Sequence, residues 1–377
     1  MEKDNILNMS KINDQMALLG INQSDIATAL EVSRQAVSQW FNKESFPRPG
    51  KLLKLGRLLC LKYSELVLED DFQKPVVAFR KVANSKTTEL HVQRAENTGY
   101  DLKLLVPYLP FDTIIEPKHL RDPKLEYQYI QKAVSALREL MKINSEEVEI
   151  VHILEYFHKQ HTILIPKLLG SSKNHNNALH IKLPESGINW VFFNLDTNLL
   201  DFKFWLVHEL AHILSPTISE NDKEIFADEF AGAFLYTEKM AERLHTTLKS
   251  VHQIKRFDTI FNEARRLEIS PYTILSQYNK FAEYHVREKI EMGNDFHARR
   301  SNFEKKYPLV SSRYFGTGKP DAKFYISICE SEFRTPFFEA VRKYLKNHEA
   351  SASLISSLLD ISVTDSIEIF RVLKDGI

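Results

Sequence analysis

The segment Trp205-Leu206-Val207-His208-Glu209-Leu210-Ala211-His212 reads H-E-x-x-H inside an apolar run. On an α-helix, positions i and i+4 share one face, so His208 and His212 can both offer an imidazole nitrogen to a single Zn²⁺. Glu209 then lies beside the metal, where its carboxylate can take a proton from a water held there. Two histidines on an ordinary packed helix would spell the same letters, so the reading needs a third ligand.

That ligand is sought downstream. After Ser215-Pro216 and an acidic-polar turn, helical patterning resumes over Glu224-Ile225-Phe226-Ala227-Asp228-Glu229-Phe230-Ala231-Gly232-Ala233-Phe234-Leu235. Glu224 and Asp228 are one turn apart and face the same way, while Ala227, Ala231 and Gly232 let this helix approach another closely. A carboxylate from Glu224 completes a His₂Glu set with a fourth position open, the arrangement of a catalytic zinc site. Asp228 suits the next layer, accepting the other ring N–H of a ligating histidine and fixing its tautomer. The rival is that Glu220, Asp222 and Glu224 only place negative charge at a helix N-terminus.

At these residues the chain resembles the ImmA/IrrE-type metallopeptidase family of bacteria and their mobile elements. The resemblance runs from the helix Val134-Ser135-Ala136-Leu137-Arg138-Glu139-Leu140 through strands ending in Val191-Phe192-Phe193-Asn194, then the zinc helix, E-x-x-A-D and the F-A-G-A-F-L run. It covers roughly residues 129 to 240. It implies zinc, a cytoplasmic setting and limited proteolysis of a regulatory protein, often a DNA-bound repressor. The chain departs at Ala211, where the family frequently has Gly, and at Leu235-Tyr236-Thr237, where the family often has Pro.

Composition agrees with an intracellular regulator. A chain of 377 residues, 43% apolar, can bury more than one core. Fifty basic residues balance fifty acidic ones, so no global field drives the molecule onto nucleic acid or membrane. Cys60 and Cys329 are far apart, which argues for a reducing compartment without structural disulfides. Met1-Glu2-Lys3-Asp4-Asn5 is unlike a signal peptide, and no apolar run reaches the roughly 20 residues that span a bilayer. The expectation is a cytoplasmic protein with no membrane association.

A second signal lies near the N-terminus. Gln23 to Leu30 reads as a short helix, Glu31-Val32-Ser33 as a turn with Ser33 as N-cap, and Arg34 to Phe41 as a second helix. Ala27 falls where crossing helices need a small residue, and Val32 and Val37 point to their shared core. Arg34, Gln35, Ser38 and Gln39 are hydrogen-bonding side chains at the end of the helix that would enter a major groove. Arg48 and Lys51, with Lys54 and Arg57 near Pro47 and Pro49, form a phosphate-contacting edge. This segment is similar to the Cro/repressor-type (XRE) helix-turn-helix family over about residues 10 to 67, departing at Glu31, where that family usually carries Gly. The resemblance implies double-stranded operator DNA as partner. A single head reads few base pairs, so a homodimer or paired sites are expected. A protein-binding module without DNA contact is the alternative.

The rest says less. Pro75 to Arg80 suits a short strand or extended arm, and Lys86 to Leu109 one helix, broken by Gly99 or capped near Pro107. Ile130, Val134, Leu137 and Met141 recur at helical spacing. Thr162–Ile165, Ala178–Ile181 and Trp190–Phe193 suggest three short strands beside the zinc helix, one edge of which could hold an extended substrate peptide. His158, His161, His175 and His180 are weighed as extra ligands, with surface histidines the simpler reading. Helical patterning returns over 254–257, 261–264 and 271–275, and residues 351 to 373 repeat helix, turn, helix on a face that lacks the basic and amide side chains of the first, which favours protein contact.

The expected architecture is multidomain: an all-α helix-turn-helix head (1–68), a helical connecting region (69–128), an α+β zincin-like metallopeptidase body (129–240) and a helical C-terminal extension (241–377). The expected function is a DNA-binding zinc metallopeptidase acting on a repressor-like protein in a stress, mobile-element or phage-related switch. His208, His212 and Glu224 hold the metal and Glu209 is the base. The alternative is the antitoxin or autoregulator of a toxin–antitoxin-type operon, its partner a toxin and its zinc site structural or vestigial. A broad housekeeping peptidase is a third reading, disfavoured by the fused head.

Overall fold

A computed structural model describes residues 6–42, 44–47, 49–61, 63–68, 75–79, 89–110, 118–168, 178–183 and 186–375. The chain divides into two compact units, Met1–Lys74 and Pro75–Ile377. His175 and Arg48 lie outside the described residues.

The first unit contains α1 (Met9–Leu19), α2 (Gln23–Ala29), α3 (Arg34–Phe41), α4 (Pro49–Leu59) and α5 (Tyr63–Leu66). It is not purely helical. β1 (Ile6–Leu7) pairs antiparallel with β2 (Val67–Leu68), and Leu7 and Val67 are buried. Two residues per strand are too few to show an alternating pattern in sequence, so the expectation of an all-α head is corrected here. Asn22 starts α2 with a capping box shared with Asp25, and Ser33 Oγ accepts from Ala36 N at 3.1 Å to start α3. Ile26, Ala27, Val37 and Trp40 then meet in one core with Leu52, Leu55 and Leu59.

The second unit is built around a four-stranded sheet in the order β3 (Val76–Phe79), β5 (Ala178–Leu183), β6 (Ile188–Asn194), β4 (Thr162–Lys167). β3 and β6 each run antiparallel to β5, while β4 runs parallel to β6. Every residue of β4 and β6 is buried, as expected for strands covered on both faces. Leu164, Val191 and Phe193 point to one core, and Ile163, Ile165, Trp190 and Phe192 to the other.

The first core is closed by α7 (Tyr127–Leu140), α8 (Ile150–Lys159), α9 (Leu199–Leu214), α10 (Lys223–Leu235), α11 (Glu238–Lys249), α12 (Arg256–Leu267) and α13 (Pro271–Tyr284), with α14 (Asn294–Glu304) and α15 (Val310–Phe315) beside them. The second core is closed by α6 (Glu89–Lys103), α16 (Ala322–Ser331), α17 (Phe337–Asn347), α18 (Ala352–Leu359) and α19 (Val363–Asp375).

Four expectations change accordingly. β3 and α6 are part of the body, since β3 extends its sheet and α6 covers it. The C-terminal helices are not an appendage: apolar side chains on both faces of β6 need cover, and α16–α19 supply it on one side. The helix-turn-helix at 351–373 spends its surface within the chain, where Thr98 Oγ1 donates to Ser357 O at 3.1 Å and Ser357 bonds Asp101. Helix α6 also runs unbroken through Gly99, where a Cβ would stand 2.4 Å from Pro75 Cβ. Close approach, and not a break, explains that glycine.

Candidate functional site

Helix α9 begins at Asn198, whose side chain accepts from Leu200 N at 3.0 Å, and ends at Ser215, just before Pro216. Its apolar residues on nearly every side leave it buried between the sheet and α10. Helix α10 packs against it, with Phe226, Phe230 and Phe234 stacked on one another at successive turns and Ala227 and Ala231 fully buried. Arg138 of α7 fixes the far end of α10: its guanidinium donates to Phe234 O at 2.7 Å and to Ser145 O at 2.6 Å. Gly232 faces α13, where a Cβ would come within 2.2 Å of Gln277 Nε2.

This packing brings four of the expected residues to one place. His208 Nε2 and His212 Nε2 are 3.0 Å apart, and the Glu224 carboxylate lies 3.5 Å from the first and 3.3 Å from the second. Donors held about 2.0–2.1 Å from a tetrahedral zinc stand roughly 3.3–3.4 Å from one another, and the two imidazole nitrogens and the two oxygens of the Glu224 carboxylate, one facing each ring, are near that spacing. Two imidazoles and a carboxylate are also the donor chemistry zinc takes. Among the described residues this is the group of His, Cys, Asp and Glu that could hold a metal. On its other edge, His208 Nδ1 is 2.8 Å from Asp228 Oδ1. His208 is fully buried, whereas Glu224 has 59% of its side chain exposed, so the centre opens to solvent on the α10 side. Hydrogen bonds from His208 and His212 hold the Glu224 carboxyl well below the usual carboxylate range.

Glu209 is 4% exposed, and its Oε1 has no hydrogen-bond partner. A buried carboxylate oxygen without a partner costs on the order of 1–3 kcal/mol or more, which a structural role would not repay. Together with the donor spacing it fits a site meant to hold a metal and a water.

His180, weighed from the sequence as an extra ligand, is a neighbour of the centre and not a member of the metal group. His180 pairs with Val191 in the β5–β6 register, on the sheet face that α9 covers, and its Nε2 is 2.9 Å from Asn189 Oδ1. Burial lowers its pKa, opposed by the Asn189 hydrogen bond and the charge of Glu209 and reinforced by His212, so it stands in the field of the site as a neutral imidazole. The signal was the alternation Leu179, Ile181, Leu183 against His180, Lys182, which assigns His180 to the other face. His158 and His161, at the end of α8, are not part of the metal group.

In the first unit, Arg34 and Gln35 are exposed at the start of α3, with Ser38 and Gln39 partly exposed one turn on. Lys51 has a prior commitment: its Nζ donates to Leu30 O at 2.6 Å, at the C-terminal end of α2, and lies 4.0 Å from Glu31. Glu31 adopts a left-handed φ of 53° and pairs with Lys54 at 3.4 Å.

The helix-turn-helix family model matches residues 12–66. That assignment defines the N-terminal unit as an XRE-type helix-turn-helix, which implies DNA binding and a role in transcription regulation. No curated protein and no solved structure matches the chain. Among the described residues, no helix is long and apolar enough to cross a membrane.

Proposed function

We propose that the chain is a DNA-binding regulatory zinc metallopeptidase of the ImmA/IrrE type, its helix-turn-helix head holding an α+β zincin-like body near a repressor-like protein substrate. The observation that carries this reading is the convergence of His208, His212 and Glu224 beside a buried Glu209 oxygen that lacks a partner. Zn²⁺ in that set supplies a Lewis acid that polarises a peptide carbonyl and acidifies a water. Glu209 serves as the base that receives the water's proton and returns it to the leaving amine. Asp228 holds the His208 ring so that Nε2 faces the metal position. A head bound to an operator raises the local concentration of the body near other proteins there.

The discriminating experiment is Glu209→Gln in the full chain. The proteolytic reading expects zinc content and operator binding to persist while cleavage and the cellular response disappear. A variant that is normally expressed and fully functional in the cell would remove the catalytic role. The second reading, an antitoxin or autoregulator with a structural or vestigial zinc site, draws on the helix-turn-helix match alone. It expects that variant to behave as wild type and Arg34 and Gln35 substitutions to carry the phenotype. A small toxin-like gene beside this one favours that reading, and a separate repressor gene favours proteolysis.

A further inference from the structure

On the sheet face away from α9, a pocket of about 140 Å³ opens at the C-terminal end of β4. Its apolar wall is Leu168, Leu359, Ile361 and Ile369, and Lys167 lies at its head. Strand register explains why the lysine is unusual. Ile163, Ile165 and Lys167 alternate onto one face, and the first two are core residues, so a charge occupies the next core position. Only 7% of the Lys167 side chain is exposed.

Its partners do not account for that burial. The nearest carboxylate, Asp360 Oδ2, is 3.7 Å away, beyond hydrogen-bond reach, and 64% of the Asp360 side chain faces water. The Phe192 ring lies 5.6 Å from Nζ and offers a cation–π contact without an acceptor atom. Burying an ammonium costs several kcal/mol, which an ion pair returns only with good geometry and full hydrogen bonding. Burial lowers the Lys167 pKa, with Asp360 opposing the shift. The other polar groups around the pocket are engaged. Lys319 pairs with Asp365, Asp365 also accepts from Ser362 Oγ at 2.8 Å, Glu368 accepts from Ala322 N at 3.3 Å, and Tyr325 donates to Pro166 O at 2.5 Å. Lys167 is the group short of acceptors.

We propose that this pocket binds a small aliphatic carboxylate, with its carboxylate on Lys167 Nζ and its tail against Leu359, Ile361 and Ile369. A cavity of roughly 150 Å³ holds one benzene, so a ligand of about four to six carbons fits the volume. The site is independent of the metal centre and does not rest on the peptidase reading.

The probe is isovalerate, added to the full-length protein at constant ionic strength, with 3-methylbutan-1-ol as its uncharged counterpart. Calorimetric titration and the thermal midpoint are read together. Wild type is expected to show saturable binding and a rising midpoint with the acid but not the alcohol. Lys167→Met, whose side chain suits the core position, is expected to weaken binding at least about tenfold. Ile361→Phe, which fills the pocket and keeps the lysine, does the same and stands in should Lys167→Met fail to fold. Tighter binding of leucine than of isovalerate also supports the site and adds Glu368 as acceptor for the ligand ammonium. Binding is expected to survive His208→Ala. No binding by wild type, or binding unchanged in the pocket variants, overturns the proposal. So does binding lost only in His208→Ala, which places the carboxylate at the metal centre.

Discussion

His208 Nδ1 stands 2.8 Å from Asp228 Oδ1, so one ring nitrogen is claimed by a carboxylate while the other faces His212 and Glu224. With a metal in place of the Glu224 hydrogen bond, a neutral imidazole so held would carry its proton on Nδ1 and present a lone pair at Nε2. Replacing His208, His212 or Glu224 with Ala is expected to abolish stoichiometric zinc, and Asp228→Asn to weaken it about 10–100-fold. Glu209→Gln is expected to retain it. Metal analysis with chelator competition reads all five variants, and full zinc in Glu224→Ala would take that residue out of the ligand set.

For the head, Gln35→Ala is expected to cost about 1–3 kcal/mol on a specific operator and little on random DNA. Lys51→Ala should differ in kind. Its ammonium caps the C-terminal end of α2, so the variant is expected to lose stability of the head as well as affinity for both DNAs. Parallel denaturation and DNA titrations separate the two. Equal losses on both DNAs from Gln35→Ala would place the base-reading face elsewhere.

Glu31 occupies a left-handed backbone position next to the helix pair. Glu31→Gly is expected to stabilise the head by about 1 kcal/mol, because glycine accepts that φ without steric cost and the exposed ion pairs it gives up are worth little. It also frees Lys54 from its carboxylate partner, so DNA affinity should rise with a steeper salt dependence. A lower thermal midpoint for this variant would show the ion pairs outweigh the strain.

Gly232→Ala puts a methyl within 2.2 Å of Gln277 Nε2. The expected loss is about 1–3 kcal/mol by overpacking between α10 and α13. In a double-mutant cycle, Gln277→Ala should relieve most of it, and additive losses would mean the clash is absorbed elsewhere.

Lys203 of α9 is buried, with its Nζ 3.0 Å from Leu267 O and 3.5 Å from Glu147. Burial lowers its pKa from the ordinary 10.5 more than Glu147 and Glu268 raise it. Below that ordinary value the unfolded chain therefore binds the proton more tightly than the fold does. Stability from this group is lost as pH falls through the folded pKa and fully present above the unfolded one. The stability difference between wild type and Lys203→Met should shift toward wild type as pH rises toward 10.5. A flat difference, measured by denaturant titration across that range, would refute the assignment.

What could be read without coordinates follows from periodicity. The histidines at 208 and 212 and the phenylalanines at 226, 230 and 234 recur at helical spacing, so α9, α10 and the composition of the candidate centre were legible. Ser33 as a cap and Val37 as a core residue were legible for the same local reason. Long-range pairing was not. The addition of β3 to the sheet, the face on which His180 lies and the core position of Lys167 all depend on register between strands far apart in sequence. The two-residue strands of the head are too short for any pattern, and the covering role of α16–α19 depends on which sheet face lacks a lid.

Phe192 and Phe193 are adjacent in the chain yet belong to different cores. The stretch 129–240 is therefore not a separable fragment, although the H-E-x-x-H and E-x-x-A-D motifs fall neatly within it. Expressed alone, it would present Trp190 and Phe192 to water along a sheet with no β3 neighbour, a surface prone to sticking to its own copies. A one-residue insertion in β6 would swap the contents of both cores at once. Dissection of this protein has to cut near the junction at Lys74, where its two compact units meet in sequence, and keep everything after it.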